Sequence, residues 1–210
     1  MSTENLSETQ HLFERAEPGV RKAHKRHILS IALDCFDEQG LEATTIEMIR
    51  ERAASSIGSI YHHFGSKEGL VAALYFAALD DQLALIRPRM QGAARPRQAV
   101  DALVQTYLEW VERQPKLARF MLRARHAVAG GPQSETLAER NKERYGELLQ
   151  WIQDGIRAGE IRRLPSETYA SLLIGQSENY CRAWLSGRVK GSPTTYAEVF
   201  SEASWRAIAA

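Results

Sequence analysis

The 210-residue sequence predicts an all-α protein of about nine helices, and three observations carry that expectation. Apolar residues recur at 3.6-residue spacing along most of the chain. Strict apolar/polar alternation is almost absent. Glycine and proline fall where helices need ends. In order, a polar arm containing Pro18-Gly19 precedes a first helix that sets Ile28, Leu29, Ala32, Leu33 and Phe36 on one stripe and stops at Gly40. In "TTIEMIRERA", Thr44 with Glu47 three residues on forms a capping box for a short helix from about Thr45 to Ala53, with Ile46 and Ile49 buried. Ser55 or Ser56 then caps a third helix through His63, and Ser66 caps a longer fourth one that begins at Lys67 and ends or kinks near Pro88. Pro96 opens a helix through Glu112, Pro115 another through about Ala127, and "AGGPQSE" breaks the chain before a long helix reaching Ala158. Pro165 starts a helix through Leu185, and "GSPTTYAEVFSEASWRAIA" supplies the last.

Composition narrows the class. A hydrophobic fraction of 44% suits a globular chain with a buried core. No uncharged run approaches the length of a membrane span and the polar N-terminus is no secretory signal, so the expected home is the cytoplasm, without a membrane partner. Cys35 and Cys181 sit in apolar-periodic segments without ligand neighbours, which fits buried thiols. The net charge of +1 does not mark the chain as a nucleic-acid binder. Yet "RKAHKRH", Arg21 to His27, holds four fixed cations and no acid. By itself this run reads as a solvated face.

Three short helices cannot each hold in water alone, so the first three must share a core, with Phe36, Ile46, Ile49, Ile60 and Phe64 as candidates. That is a unit of helix-turn-helix size, and the second helix of such a pair enters the major groove with a face kept low by small or polar side chains. "SIGSIYHH" meets this requirement: Ser56, Gly58 and Ser59 keep the face low, Ile57 suits a thymine methyl, and His62 can reach a base or phosphate acceptor. Helix starts at Thr44, Thr45 and Lys67 suit phosphates, and Tyr61 can stack on the core while its hydroxyl reaches one.

The first helix ending in Gly40, then "TTIEMI", then "SIGSIYHHFGSKEGL", resembles the N-terminal DNA-binding domain of the TetR family of bacterial transcriptional regulators over roughly residues 21–70. The resemblance implies a homodimer of all-helical subunits that binds a double-stranded operator, with a divergent C-terminal domain for a small-molecule effector and no cofactor. By position it places Ile57, Gly58, Ser59 and His62 at base contacts, and Thr45, Tyr61, His63 and Lys67 at phosphate contacts; Thr44 joins the latter from its helix start. Two departures stand out. Ala53-Ala54-Ser55 occupies the turn that commonly reads Ala-Gly-Val, and Arg50 stands where alanine is frequent. The domain organisation expected is a flexible arm over 1–20, the DNA-binding domain over 21–66, and a ligand-binding and dimerisation domain over 67–210.

Beyond Leu70 the signals are weaker. Tyr107, Trp110, Phe120, Met121, Tyr145, Trp151 and Tyr180 fall on apolar stripes, as core or as pocket lining. His126, Gln176 and Asn179 are surface, hydrogen-bonded core or ligand contacts. Arg119, Arg123 and Arg125 make a basic helix, a solvated face or a receiver for an acidic ligand. For dimerisation, Ser171 and Gly175 form a small pair at i, i+4 that lets a helix approach, with Trp184, Tyr196, Val199 and Phe200 as companions. His62-His63 is not a metal pair, because adjacent helical residues face different ways. No motif for nucleophilic, phosphate or metal chemistry appears in fitting context, so an enzyme is not expected. The rival reading is a helical small-molecule-binding protein or enzyme with a vestigial N-terminal domain.

Overall fold

The computed structural model describes residues 8–210, the side chains of Glu8, Arg144 and Tyr145 excepted. The described residues form ten α-helices: α1 Glu8–Ala16, α2 Ala23–Gln39, α3 Ile46–Arg52, α4 Ile57–Phe64, α5 Lys67–Gln91, α6 Pro96–Arg113, α7 Pro115–Ala129, α8 Ser134–Arg157, α9 Tyr169–Leu185 and α10 Ala197–Ile208. Short 3-10 turns at Val20–Lys22, Ser166–Thr168 and Pro193–Tyr196 lead into α2, α9 and α10. The all-α expectation holds.

The chain divides into two compact units, Met1–Asp81 with Gln114–Leu137, and Gln82–Arg113 with Ala138–Ala210. In the first, Ile28, Leu29, Leu33, Phe36, Ile49 and Ile60 are almost wholly buried and join α2, α3 and α4 in one core. Each such side chain contributes roughly 1.5–3 kcal/mol. Helix α7 belongs to this unit because α2 binds it: Phe120 stacks on Phe36 with centroids 5.6 Å apart, and Arg119 donates twice to the Asp37 carboxylate at 2.9 Å. Arg119 is therefore an ion-pair partner and not the receiver for an acidic ligand.

Within the span expected as a flexible arm, residues 8–16 form helix α1. Leu12 and Phe13 are buried, the Arg15 guanidinium donates to Asp81 at 2.5 and 3.0 Å, and Thr9 Oγ1 donates to Gln114 at 2.7 Å. One apolar pair and two polar ties suffice to dock a nine-residue helix that would not hold in water alone.

Helix α5 runs past Pro88 to Gln91, where an end or kink was expected. A proline deletes one amide donor, and a helix embedded in tertiary packing absorbs that loss in its last turn. By length and composition α5 could cross a membrane, with a mean hydropathy of 1.5 over 18 residues, but 61% of that window is buried in the protein. The apolar side chains serve its own core.

In the second unit α10 packs on α6 and α9 over Val100, Val104, Leu108, Leu173, Cys181 and Ile208. Glu112 of α6 accepts from Thr194 N at 2.7 Å and from the Ser192 and Thr194 hydroxyls, fastening the turn before α10. Both cysteines are buried thiols, and burial pushes Cys181 up to about 12.

Candidate nucleic-acid interface

Three local devices build the α3–α4 end of the first unit. Gly40 ends α2 with φ 84° and ψ 165°, a backbone region nearly confined to glycine. Thr45 caps α3, its Oγ1 accepting from Met48 N at 3.2 Å, and Ser56 caps α4 by accepting from Ser59 N at 3.1 Å. Caps of this kind contribute about 1 kcal/mol each. The capping box expected from Thr44 and Glu47 is not formed. Thr44 is fully buried, its hydroxyl donating to the Gly40 and Cys35 carbonyls at 2.7 and 3.1 Å, so its side chain is removed from the phosphate set. Two consecutive threonines at a helix start look alike in sequence, and only the neighbouring α2 carbonyls distinguish them.

Helix α4 splits by face. Ile60 and Phe64 point inward, while Ile57 and Tyr61 are each 48% exposed and Gly58 and His62 are also exposed. Ser59 and His63 are half-buried. Gly58 is informative because a Cβ built there would meet nothing within 4 Å. Gly58 stands in the first turn of α4, just after the Ser56 cap, and neither packing nor a positive φ requires glycine there. By contrast, a Cβ at Gly69 would lie 1.9 Å from the Phe64 carbonyl, so that glycine is a structural necessity of the α4–α5 corner. Gly58 therefore keeps the exposed face of α4 low.

Cations and imidazoles flank this face. The His24 and His63 rings lie 6.1 Å apart, His62 and His63 5.3 Å, and Lys25 Nζ sits 5.8 Å from the Phe64 ring. Burial holds the His63 imidazole below its ordinary value, helped by His62, His24, Lys25 and Lys22. Lys67, at the start of α5, donates to the Glu42 carbonyl at 3.2 Å. It also lines a cleft of about 150 Å3 between the Leu41–Glu42 corner, the first turns of α5 and the Val128–Pro132 stretch.

The departures in the turn acquire a physical description. Ala54 adopts φ 47°, a left-handed conformation that costs a non-glycine residue roughly 1–2 kcal/mol. Ser55 is buried with its Oγ 3.0 Å from His24 Nε2, a polar contact where the family commonly buries valine. Arg50 is held by Glu47 at 2.6 Å. The His24–Ser55 pairing spans 31 residues and had no sequence signal.

The C-terminal candidates are distributed over both units. Phe120, Met121 and His126 belong to the first unit, and Tyr107, Trp110, Trp151, Gln176, Asn179 and Tyr180 to the second. Phe120 is core, and Trp110 is buried. His126, Gln176 and Asn179 are exposed and so do not line an internal pocket; the surface alternative applies to them. Tyr180 donates to the Gly191 carbonyl at 2.9 Å and packs on Tyr196 and Phe200. The Tyr145 side chain lies outside the described residues.

Comparison with known proteins decides what this surface belongs to. Residues 28–74 match the model of bacterial regulatory proteins of the tetR family, and residues 97–194 match the tetracyclin repressor-like C-terminal domain. The HTH-type transcriptional repressor KstR2 of Rhodococcus jostii is 30% identical over 143 residues, covering 68% of this chain and 70% of that protein. The chain belongs to the TetR family. It is a helix-turn-helix, DNA-binding regulator of transcription. The Mycobacterium tuberculosis KstR2 is 28% identical over 69% of this chain and 72% of its own length. Its solved structure shares the fold with a TM-score of 0.71 at 23% identity, covering 93% of this chain and all of that one. A TetR family regulator from Marinobacter aquaeolei superposes at 0.76 with 19% identity, over 90% and 97% of the two chains. For this TetR family chain, α3 and α4 with the turn between them lie inside the matched N-terminal segment, and α9 begins within the matched C-terminal one.

Proposed function

We propose that the protein is a ligand-responsive repressor that binds a pseudo-palindromic operator as a homodimer, each α4 lying in a major groove. The carrying observation is Gly58, a glycine in the first turn of α4 on an exposed face with open space above it. A duplex edge accounts for that economy because the backbone must come close to base edges. Ile57, Ser59 and His62 join Gly58 in reading bases, while Thr45, Tyr61, His63 and Lys67 bind phosphates. Thr45 and Lys67 stand at helix starts, where exposed amides favour anions.

The second copy docks on α9 and α10. Gly175 repeats the Gly58 pattern, a helical glycine whose Cβ would meet nothing within 4 Å, and Ser171, Gln176 and Asn179 lie exposed beside it. On α10 Val199 is 63% exposed, with Tyr196 exposed and Phe200 half-buried near it. Small residues on one helix and apolar ones on the next suit a close helical contact across a two-fold axis. Trp184, half-buried near the end of α9, borders this face.

Effector response follows from a difference in affinity between two arrangements of the reading heads; equal affinity shifts nothing. Helix α5 is the transmitter, since it begins at Lys67 beside the phosphate contacts and continues unbroken into the second unit. The partner in that unit is a small organic molecule. The experiment is selection of bound duplexes from a random pool, followed by a metabolite screen for release. Two inverted half-sites about 34–36 Å apart, or a multiple of that distance, are expected. Recovery of no enriched sequence at modest ionic strength would overturn the reading.

A further inference from the structure

The basic run Arg21 to Arg26 is not used by the contacts above. Three of its four fixed cations build a turn. Lys22 and Lys25 pair with the Glu17 carboxylate, and Arg26 Nη1 donates to the Glu17 and Gly19 carbonyls at 2.8 Å each. Gly19 takes φ 95° and ψ 152°, a region nearly confined to glycine, although a Cβ there would meet nothing. The chain is thus bent by backbone conformation and pinned by three cations. Out of this bend stand Val20, 90% exposed, and Arg21, also exposed; of the four cations Arg21 alone makes no hydrogen bond or ion pair among the described residues.

The turn's place is set by its neighbours. Three residues after Arg21, His24 touches Ser55 just before the α4 cap and lies 6.1 Å from His63 near the α4 end. Lys25 sits over Phe64. The turn is therefore fixed along the flank of the reading helix and is no free arm. A helix in a major groove about 12 Å wide has a phosphate strand on either side. We propose that the Pro18–Lys22 turn is a second DNA-contacting element that sets Arg21 on the phosphate backbone flanking the stretch read by α4. An arginine suits this position because its planar fork meets phosphate oxygens in pairs and stays charged. The inference rests on the DNA-reading assignment of α4, and the test separates the two.

Wild type, Arg21→Ala, Arg21→Lys and Gly19→Ala are titrated with a selected operator duplex across a salt series. Arg21→Ala weakens binding several-fold for every sequence alike and lowers the slope of log affinity against log salt by about 0.9 for each Arg21 removed. Arg21→Lys keeps most of the slope, and Gly19→Ala loses affinity with Arg21 still present. An unchanged slope and affinity in Arg21→Ala, while the wild type binds and Gly58→Val does not, overturns this contact alone. Failure of the wild type to bind any selected duplex overturns the underlying assignment instead.

Discussion

The outer faces of α4 and of the α9–α10 pair use the same device with opposite surroundings. Each carries a helical glycine that the fold does not need, Gly58 and Gly175, with no atom within 4 Å of where a Cβ would stand. The α4 face also carries His62 and His63, with Lys25 and Lys22 acting on His63; the α9 face carries Ser171, and Tyr196 and Val199 are exposed at the turn and helix that follow. A low helical face by itself says only that something approaches closely. Cations and imidazoles suit a phosphate-bearing duplex, and exposed apolar side chains suit another protein helix; the proposed function rests on that contrast.

The comparison breaks most sharply at Gly58. Gly58→Val is expected to cost at least about 100-fold in operator affinity, the size of losing a base contact in each head, with little change in melting temperature. A mutant that binds normally, measured by fluorescence anisotropy, would return Gly58 to the surface at large. Gly175→Leu should act on the other face only. Overpacking a helix contact costs about 1–3 kcal/mol, so the dimer should dissociate at least about tenfold more readily in sedimentation equilibrium, with the monomer fold intact by circular dichroism.

A smaller effect sharpens the electrostatic half of the contrast. Burial, then His62, His24, Lys25 and Lys22, hold the His63 imidazole below its ordinary pKa in the free head, while Glu17 pairs with the two lysines. The sign for folding is a loss of stability as pH falls below the ordinary histidine value, because the unfolded chain then binds more protons. For DNA binding the sign reverses, since nearby phosphates favour imidazolium. Operator affinity should rise as pH falls from 8 to 6, by less than about tenfold per unit for one proton, and His63→Asn should flatten the profile. A flat wild-type profile excludes His63 from the phosphate set. The smallest effect is at the turn: Ala54→Gly relieves the φ of 47° and should raise stability by about 0.5–1 kcal/mol in chemical denaturation. A lower stability would mean that the left-handed alanine is not strained.

Much of the fold was legible because its signals are short-range. The 3.6-residue stripe of α2, the proline starts of α6 and α7, and the serine before α4 each act within a turn or two of themselves. The low face of α4 was equally readable, since Ser56, Gly58 and Ser59 announce it by size. The ambiguities were local ties that distant residues settle. Thr44 and Thr45 compete for one cap, and the carbonyls of Cys35 and Gly40 take the first. Leu12 and Phe13 look like apolar residues in a polar arm until the first unit buries them.

By itself the sequence determined most of the helices, the serine cap of α4 and the small-residue face of that helix, because backbone hydrogen bonding and capping act between residues at most a few positions apart. Tertiary structure alone decided that α7 joins the reading head through Arg119 and Asp37, 82 positions apart, and that α1 docks through Thr9 and Gln114, 105 apart. It also decided that the candidate pocket residues divide between two units. Such pairings are chosen by shape and charge complementarity between faces that the chain brings together only on folding, and a one-dimensional pattern shows that a face is apolar or charged without showing which other face it meets.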